Sequence, residues 1–160
     1  MVVASEDIGR KAAGEETSVA RIAARLSSEY VLRVLKLIAD LHDGDILAAI
    51  ITQAIIGANT AHLDTRDGDG ARFAGAPPPD ELRRPISVLA LSRSLGMPFE
   101  TTRRYVSRLV ESGRAQRVKG GVIVPASVLH DPISGQAAET NLLYLRRLCR
   151  NLAAAGVAVT

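Results

Sequence analysis

The sequence has one cysteine (Cys149), no tryptophan, two phenylalanines and three tyrosines. A single thiol excludes an intramolecular disulfide and every metal site that needs several cysteines. With aromatics at 3%, the core has to be aliphatic, built from Leu, Ile, Val and Ala. Lysine is scarce too: three of the 20 basic residues, the other 17 being arginine. Long apolar runs are missing. The longest near-continuous one, residues 46–57, is broken by Thr52 and Gln53 and follows Asp43 and Asp45. It falls short of the roughly 20 residues that cross a bilayer. The start, MVVASEDIGRK, lacks the apolar stretch of a secretory signal. A soluble, cytoplasmic chain without membrane partners is expected.

What is present is globular in kind. The 160 residues are 47% hydrophobic and 23% charged, which excludes wholesale disorder and suits one domain with extra helices for assembly. The net charge of +3 says little, but its distribution says more. Between residues 83 and 119 stand nine cations (Arg83, Arg84, Arg93, Arg103, Arg104, Arg108, Arg114, Arg117 and Lys119) against Glu100 and Glu111. That segment is +7 and the remainder −4. A basic segment in an acidic chain is either a footprint for a polyanion or a solvated arginine-rich face.

Along the chain, residues 1–17 are small, charged and aperiodic, and a frayed tail is expected there. Val19, Ile22, Leu26, Tyr30, Val34, Ile38 and Leu41 recur at spacings of three and four, predicting a helix capped by Ser18. His42-Asp43-Gly44-Asp45 reads as a turn, with Gly44 at positive φ and Asp45 capping the next helix. That helix, residues 46–63, is apolar almost all round and reads as the central buried helix. Residues 64–84 contain Gly68, Gly70, Gly75 and Pro77-Pro78-Pro79 and form a long loop. Ile86 suits a strand of one or two residues. Ser87 caps a short helix over 88–95, ended by Gly96. Pro98 suits the first turn of a second helix ending at Gly113. Residues 115–118 and 122–124 are short strands joined through Lys119-Gly120-Gly121. A helical turn over 126–130 and a last helix over about 136–155 complete the chain. The implied segments are a tail (1–17), N-terminal helices (18–63), a loop (64–84), a helix–turn–helix with hairpin (85–125) and a C-terminal helical segment (126–160).

The order of buried helix, loop, short strand, short helix, turn, arginine-rich helix and basic-tipped hairpin is the layout of a winged helix-turn-helix. Val88, Leu91 and Leu95 would pack the first helix, and Thr102, Val106 and Leu109 or Val110 the second. Glu100, Thr101, Arg103, Arg104, Ser107 and Arg108 would then face outward. A helix in the major groove reads bases with its N-terminal half, and arginine is the commonest reader of guanine. Thr101, Arg103 and Arg104 are therefore candidates for base contacts, with Ser107 beside them. Arg108, Arg117 and Lys119 are candidates for phosphate, as are the amides near Phe99 and Glu100 at the helix start.

The stretch ISVLALSRSLGMPFETTRRYVSRLVESGRAQRVKGGVIVP resembles the winged helix-turn-helix of bacterial transcription regulators, in the style of the IclR, MarR, GntR and Crp-type readers. Those families often show LA-x-x-L-G, an apolar residue, Ser or Pro, then T-V-x-R-x-L-x-x-L-x-x-x-G. Here the line runs Leu91-Ser92, Leu95-Gly96-Met97-Pro98, Thr101-Thr102, Arg104, Val106, Leu109 and Gly113. Ser92 stands for the usual Ala and Thr102 for the usual Val. The resemblance covers about 40 of 160 residues and matches no one of these families throughout. It implies a mainly α fold, a winged helix-turn-helix domain with flanking long N- and C-terminal helices. It also implies a sequence-specific regulator reading double-stranded DNA through helix 98–112 and wing 114–125. Such regulators are usually homodimers on palindromic operators with half-sites about 34–36 Å apart. Residues 19–41 and 136–155 offer two long apolar stripes for the dimer contact.

Other signals are set aside. The Asp64–Gly70 stretch hints at a calcium loop, but the twelfth position is Ala76, where a carboxylate is needed. His42, His62 and His130 lie too far apart to suggest a metal site. Cys149, near Arg146 and Arg150, invites a redox role but sits where a small apolar residue packs. No catalytic, cofactor or metal site is expected and the chain does not read as an enzyme. Two alternatives stay open: a winged-helix module for protein contacts, and a switch with a small-molecule effector held between the helices.

Overall fold

The computed structural model describes residues 3–63, 73 and 75–157, with side chains described from Thr17 onward. The elements are α1 (Val3–Asp40), α2 (Ile46–Thr60) followed by a 3-10 turn (Ala61–Leu63), and a second 3-10 turn (Asp80–Leu82). Then come α3 (Val88–Leu95), α4 (Phe99–Glu111), β1 (Gln116–Val118), β2 (Gly121–Ile123), α5 (Ala126–Leu129) and α6 (Pro132–Ala154). Among the described residues the fold is mainly helical with a small two-stranded antiparallel sheet.

The chain divides into two compact units, one of Met1–Val34 with Glu139–Thr160 and one of Leu35–Ala138. This differs from the expected grouping of residues 18–63 and the expected boundary at 125. The reason lies in α2, whose buried side chains supply the core of the Leu35–Ala138 unit. That core joins Ala48, Ile51 and Ile55 of α2 to Leu91, Val106, Leu109, Ala115, Val122 and Val124. It is aliphatic throughout. Ile46–Leu63 is by length and composition apolar enough to cross a membrane, since the 3-10 turn lengthens the apolar run. Here it is the helix around which the unit packs.

Local chemistry explains each boundary. Asp45 caps α2, its carboxylate accepting from Ala48 N at 3.0 Å. The preceding turn places both Asp43 (φ 54°) and Gly44 (φ 84°) in the left-handed region. Ser87 caps α3 by accepting from Ala90 N at 3.1 Å. Gly96 ends α3 at φ 62°. Ser92 then binds the turn on both sides. Its carbonyl accepts from Met97 N at 3.0 Å and its hydroxyl donates to Met97 O at 2.7 Å. An alanine at this position would keep only the first of these bonds.

β1 and β2 pair with Val118 opposite Gly121, so Lys119 and Gly120 form the hairpin tip. Gly121 thus belongs to the strand, not to the connection as expected. Ile86 extends the pairing through an antiparallel bridge to Val122. Asn59, wholly buried, ties α2 to this region. Its amide nitrogen donates to Arg84 O at 2.8 Å and Val122 O at 3.3 Å, and its oxygen accepts from Val124 N at 3.0 Å.

Two helices start earlier than expected. The tail predicted over 1–17 is helical from Val3, because it lacks proline and is rich in Ala and Glu, which favour helix. α6 begins at Pro132. Proline stops a helix that precedes it but fits the first position of one that follows. In the loop over 64–84, residues 64–72, with most of the candidate calcium segment, lie outside the described residues.

In the Met1–Val34 and Glu139–Thr160 unit, Tyr30 donates to Asn141 Oδ1 at 3.1 Å. Glu29 pairs with Arg33 one turn along and lies 4.0 Å from Arg147. Leu26 is buried, whereas Val31, Leu32, Leu142, Leu143 and Leu145 are exposed. Of the apolar stripe predicted on the last helix, Leu148, Cys149 and Leu152 are half-buried and Leu142 and Leu145 face solvent.

Candidate nucleic-acid interface

All the candidate contact residues lie in the Leu35–Ala138 unit, on α4 and the hairpin. α4 buries Thr102, Val106 and Leu109, and the Thr102 hydroxyl donates to Pro98 O at 3.1 Å. Successive helical residues turn by about 100°, which sorts the remaining side chains. Arg104, Glu100, Ser107 and Glu111 stand opposite the buried row. Arg103 lies toward one flank, and Thr101 and Arg108 toward the other. Glu100, Thr101, Arg103, Arg104, Ser107 and Glu111 line one shallow depression. Arg103 and Arg104 are both exposed, but their side chains leave the helix in directions about 100° apart.

The two flanks have different neighbours. On one, Arg117 of β1 donates to the Ser107 hydroxyl at 3.2 Å, which joins the strand to the outer face of α4. On the other, Arg108 Nη1 lies 3.5 Å from Asp45 Oδ2, with its guanidinium carbon 5.1 Å from the centre of the Tyr105 ring. Arg103 Nε donates to Glu100 Oε2 at 2.9 Å. This pair is exposed on both sides, so it contributes little stability, but it restricts where the guanidinium points. Lys119 is exposed at the hairpin tip.

Two cations of the basic segment are not surface charges of this kind. Arg83 is buried. It donates to Pro78 O at 2.9 Å, and its Nε lies 3.3 Å from Asp80 Oδ1. Burial lowers its pKa from the ordinary arginine value, and Asp80 opposes the shift. Arg114 donates to Leu41 O and to His42 Nδ1. Arginine can only donate, so His42 Nδ1 is the bare nitrogen and Nε2–H donates to Thr52 Oγ1 at 2.8 Å. His42 is therefore a satisfied histidine within the fold. The remaining seven cations (Arg84, Arg93, Arg103, Arg104, Arg108, Arg117 and Lys119) are exposed, as are Glu100 and Glu111.

Sequence reasoning found the side chains of this face but missed their internal partners. Glu100 lies three residues before Arg103, a spacing from which a helical pair is readable. The contacts Asp45–Arg108 and Ser107–Arg117 link separate elements and left no local signal. Among the described residues no group of three His, Cys, Asp or Glu is placed to hold a metal ion. No protein-family model matches the chain, and comparison with curated proteins and with solved structures returned no match.

Proposed function

We propose that this chain is a non-catalytic, sequence-specific DNA-binding transcription regulator of the cytoplasm. In this reading α2 to β2 form a winged helix-turn-helix: Ile86 with β1 and β2 is the wing sheet, α3 the first helix and α4 the reading helix. The observation that carries it is the continuous polar face made by Arg103, Arg104 and Ser107 of α4 with Arg117 of β1. Such a face is one helix wide and carries three guanidinium groups beside Glu100 and Glu111, and arginines on a helix are what major-groove reading of guanine uses. Arg104 at its centre, with Thr101 and Arg103 beside it, would meet base edges. Arg108, Arg117 and Lys119 would meet phosphate.

The regulator is proposed to act as a homodimer. Val31, Leu32, Leu142, Leu143 and Leu145, exposed on α1 and α6, are the surface through which a second copy would bury apolar area. That same surface favours the alternative of a winged-helix module that docks on another protein.

Selection of bound sequences from a random DNA pool, followed by titration across a salt series, separates the two. A regulator enriches a palindromic site and loses affinity linearly on a log–log salt plot. Absence of enrichment together with absence of salt-dependent binding at low ionic strength would overturn the DNA-binding reading.

A further inference from the structure

Asp45 uses its two carboxylate oxygens for different purposes. Oδ1 accepts from Ala48 N and caps α2. Oδ2 lies 3.5 Å from Arg108 Nη1, across a cleft of about 170 Å³ that both residues line with His42, Tyr105 and Arg114. Arg108 keeps 59% of its side chain exposed, so it is open to a second anion, while Asp45 at 27% is the more enclosed partner. The pairing carboxylate is fixed in place by its capping bond.

A phosphate approaching Arg108 meets a site whose charge is already half compensated. It has either to share the guanidinium with Asp45 or to draw it away, and in both cases it stands close to a fixed negative charge. The cost is independent of base sequence. It therefore weakens binding to any duplex by the same factor.

We propose that Asp45 is an affinity-restraining residue of the DNA interface: by pairing with Arg108 it lowers sequence-independent attraction to any duplex and leaves discrimination to Thr101, Arg103 and Arg104. This rests on the DNA-binding reading above and names a residue outside α4 and the hairpin.

The test is Asp45→Asn in the full chain. Asparagine caps helices as well as aspartate does, so the Ala48 bond is kept while the charge is removed. Asp45→Ser, also a good cap, repeats the test should the first variant fold poorly. Binding is measured on a duplex of random sequence and on the duplex recovered by selection, across a salt series, for the parent, Asp45→Asn, Arg108→Ala and the double variant. The expected result is a gain of about two- to fivefold on the random duplex at low salt and a salt slope steeper by about one. The gain on the selected duplex is the same, so the ratio between the two stays level. The double variant behaves as Arg108→Ala. Two results overturn the proposal while leaving DNA binding intact: Asp45→Asn binding as the parent does, or the gain surviving in the double variant. A parent that shows no salt-dependent binding overturns the DNA-binding reading itself, and the role of Asp45 with it.

Discussion

Arg117 on β1 donates a hydrogen bond to the hydroxyl of Ser107 on α4 at 3.2 Å, so a strand and a helix present their polar side chains as one surface. Removing either partner should loosen the hairpin from the helix. Arg117→Ala is expected to weaken DNA binding and lower the salt slope by about one. Ser107→Ala keeps the cation but frees it. Its expected effect is smaller, and the double variant should fall short of the sum of the two. A double-variant cycle in a binding titration measures this; strict additivity would show that the bond plays no part in recognition.

Arg103 and Lys119 should fail in different ways. Arg103→Ala is expected to cost about 1–3 kcal/mol on the selected site and to relax preference at one base position. Lys119→Ala, at the exposed tip, should weaken all sequences alike and lower the salt slope by about one. Repeating the selection with each variant distinguishes them. Unchanged affinity in both would remove these residues from the interface.

Gly121 has no room for a side chain. A Cβ built there would lie 2.2 Å from Ile86 O, in a backbone at φ 154°. The bridge from Ile86 to Val122 brings the two backbones this close. Gly121→Ala should destabilise by about 3 kcal/mol or more, read by denaturant unfolding. Gly120→Ala is the control for steric crowding: its Cβ would meet only Pro85 side-chain atoms, the nearest at 3.9 Å. Its cost is then confined to the left-handed backbone, about 1–2 kcal/mol.

Asp80 serves a buried cation and a half-buried backbone group at once: its Oδ1 accepts from Ala126 N at 2.7 Å and lies 3.3 Å from Arg83 Nε. Asp80→Ala removes the counter-charge of a buried cation and the acceptor of a half-buried backbone N–H, an expected loss of about 1–2 kcal/mol. Arg83→Met fills similar space without a charge to desolvate, and is expected to change stability by no more than about 1 kcal/mol. Thermal or urea unfolding of the two variants checks the asymmetry. Equal losses would mean that the Arg83 charge itself, rather than the void it fills, stabilises the loop.

The caps and turns are legible in the sequence, because their causes act over a few residues. Asp45 and Ser87 start helices, and Gly44 and Gly96 adopt left-handed backbone, for reasons local to the chain. The buried row Thr102, Val106 and Leu109 follows from a period of 3.6, and the outward row with Arg104 follows from it. α1 and α6 begin earlier than the sequence predicts, because weak local preferences compete there and a charged segment reads equally as tail or helix.

Three-dimensional packing decided which of the nine clustered cations remain at the surface. Arg83 and Arg114 went to structural duties, while Arg103, Arg108 and Arg117 each acquired a partner. Glu100 alone of those partners lies close by in the chain; Asp45 and Ser107 are brought in by the packing of α2 and β1 on α4. Backbone preferences and hydrophobic period are properties of neighbouring residues and can be read along the chain. An electrostatic pairing depends on distance in space, and two groups 63 positions apart, such as Asp45 and Arg108, meet only when a shared core has closed the chain between them.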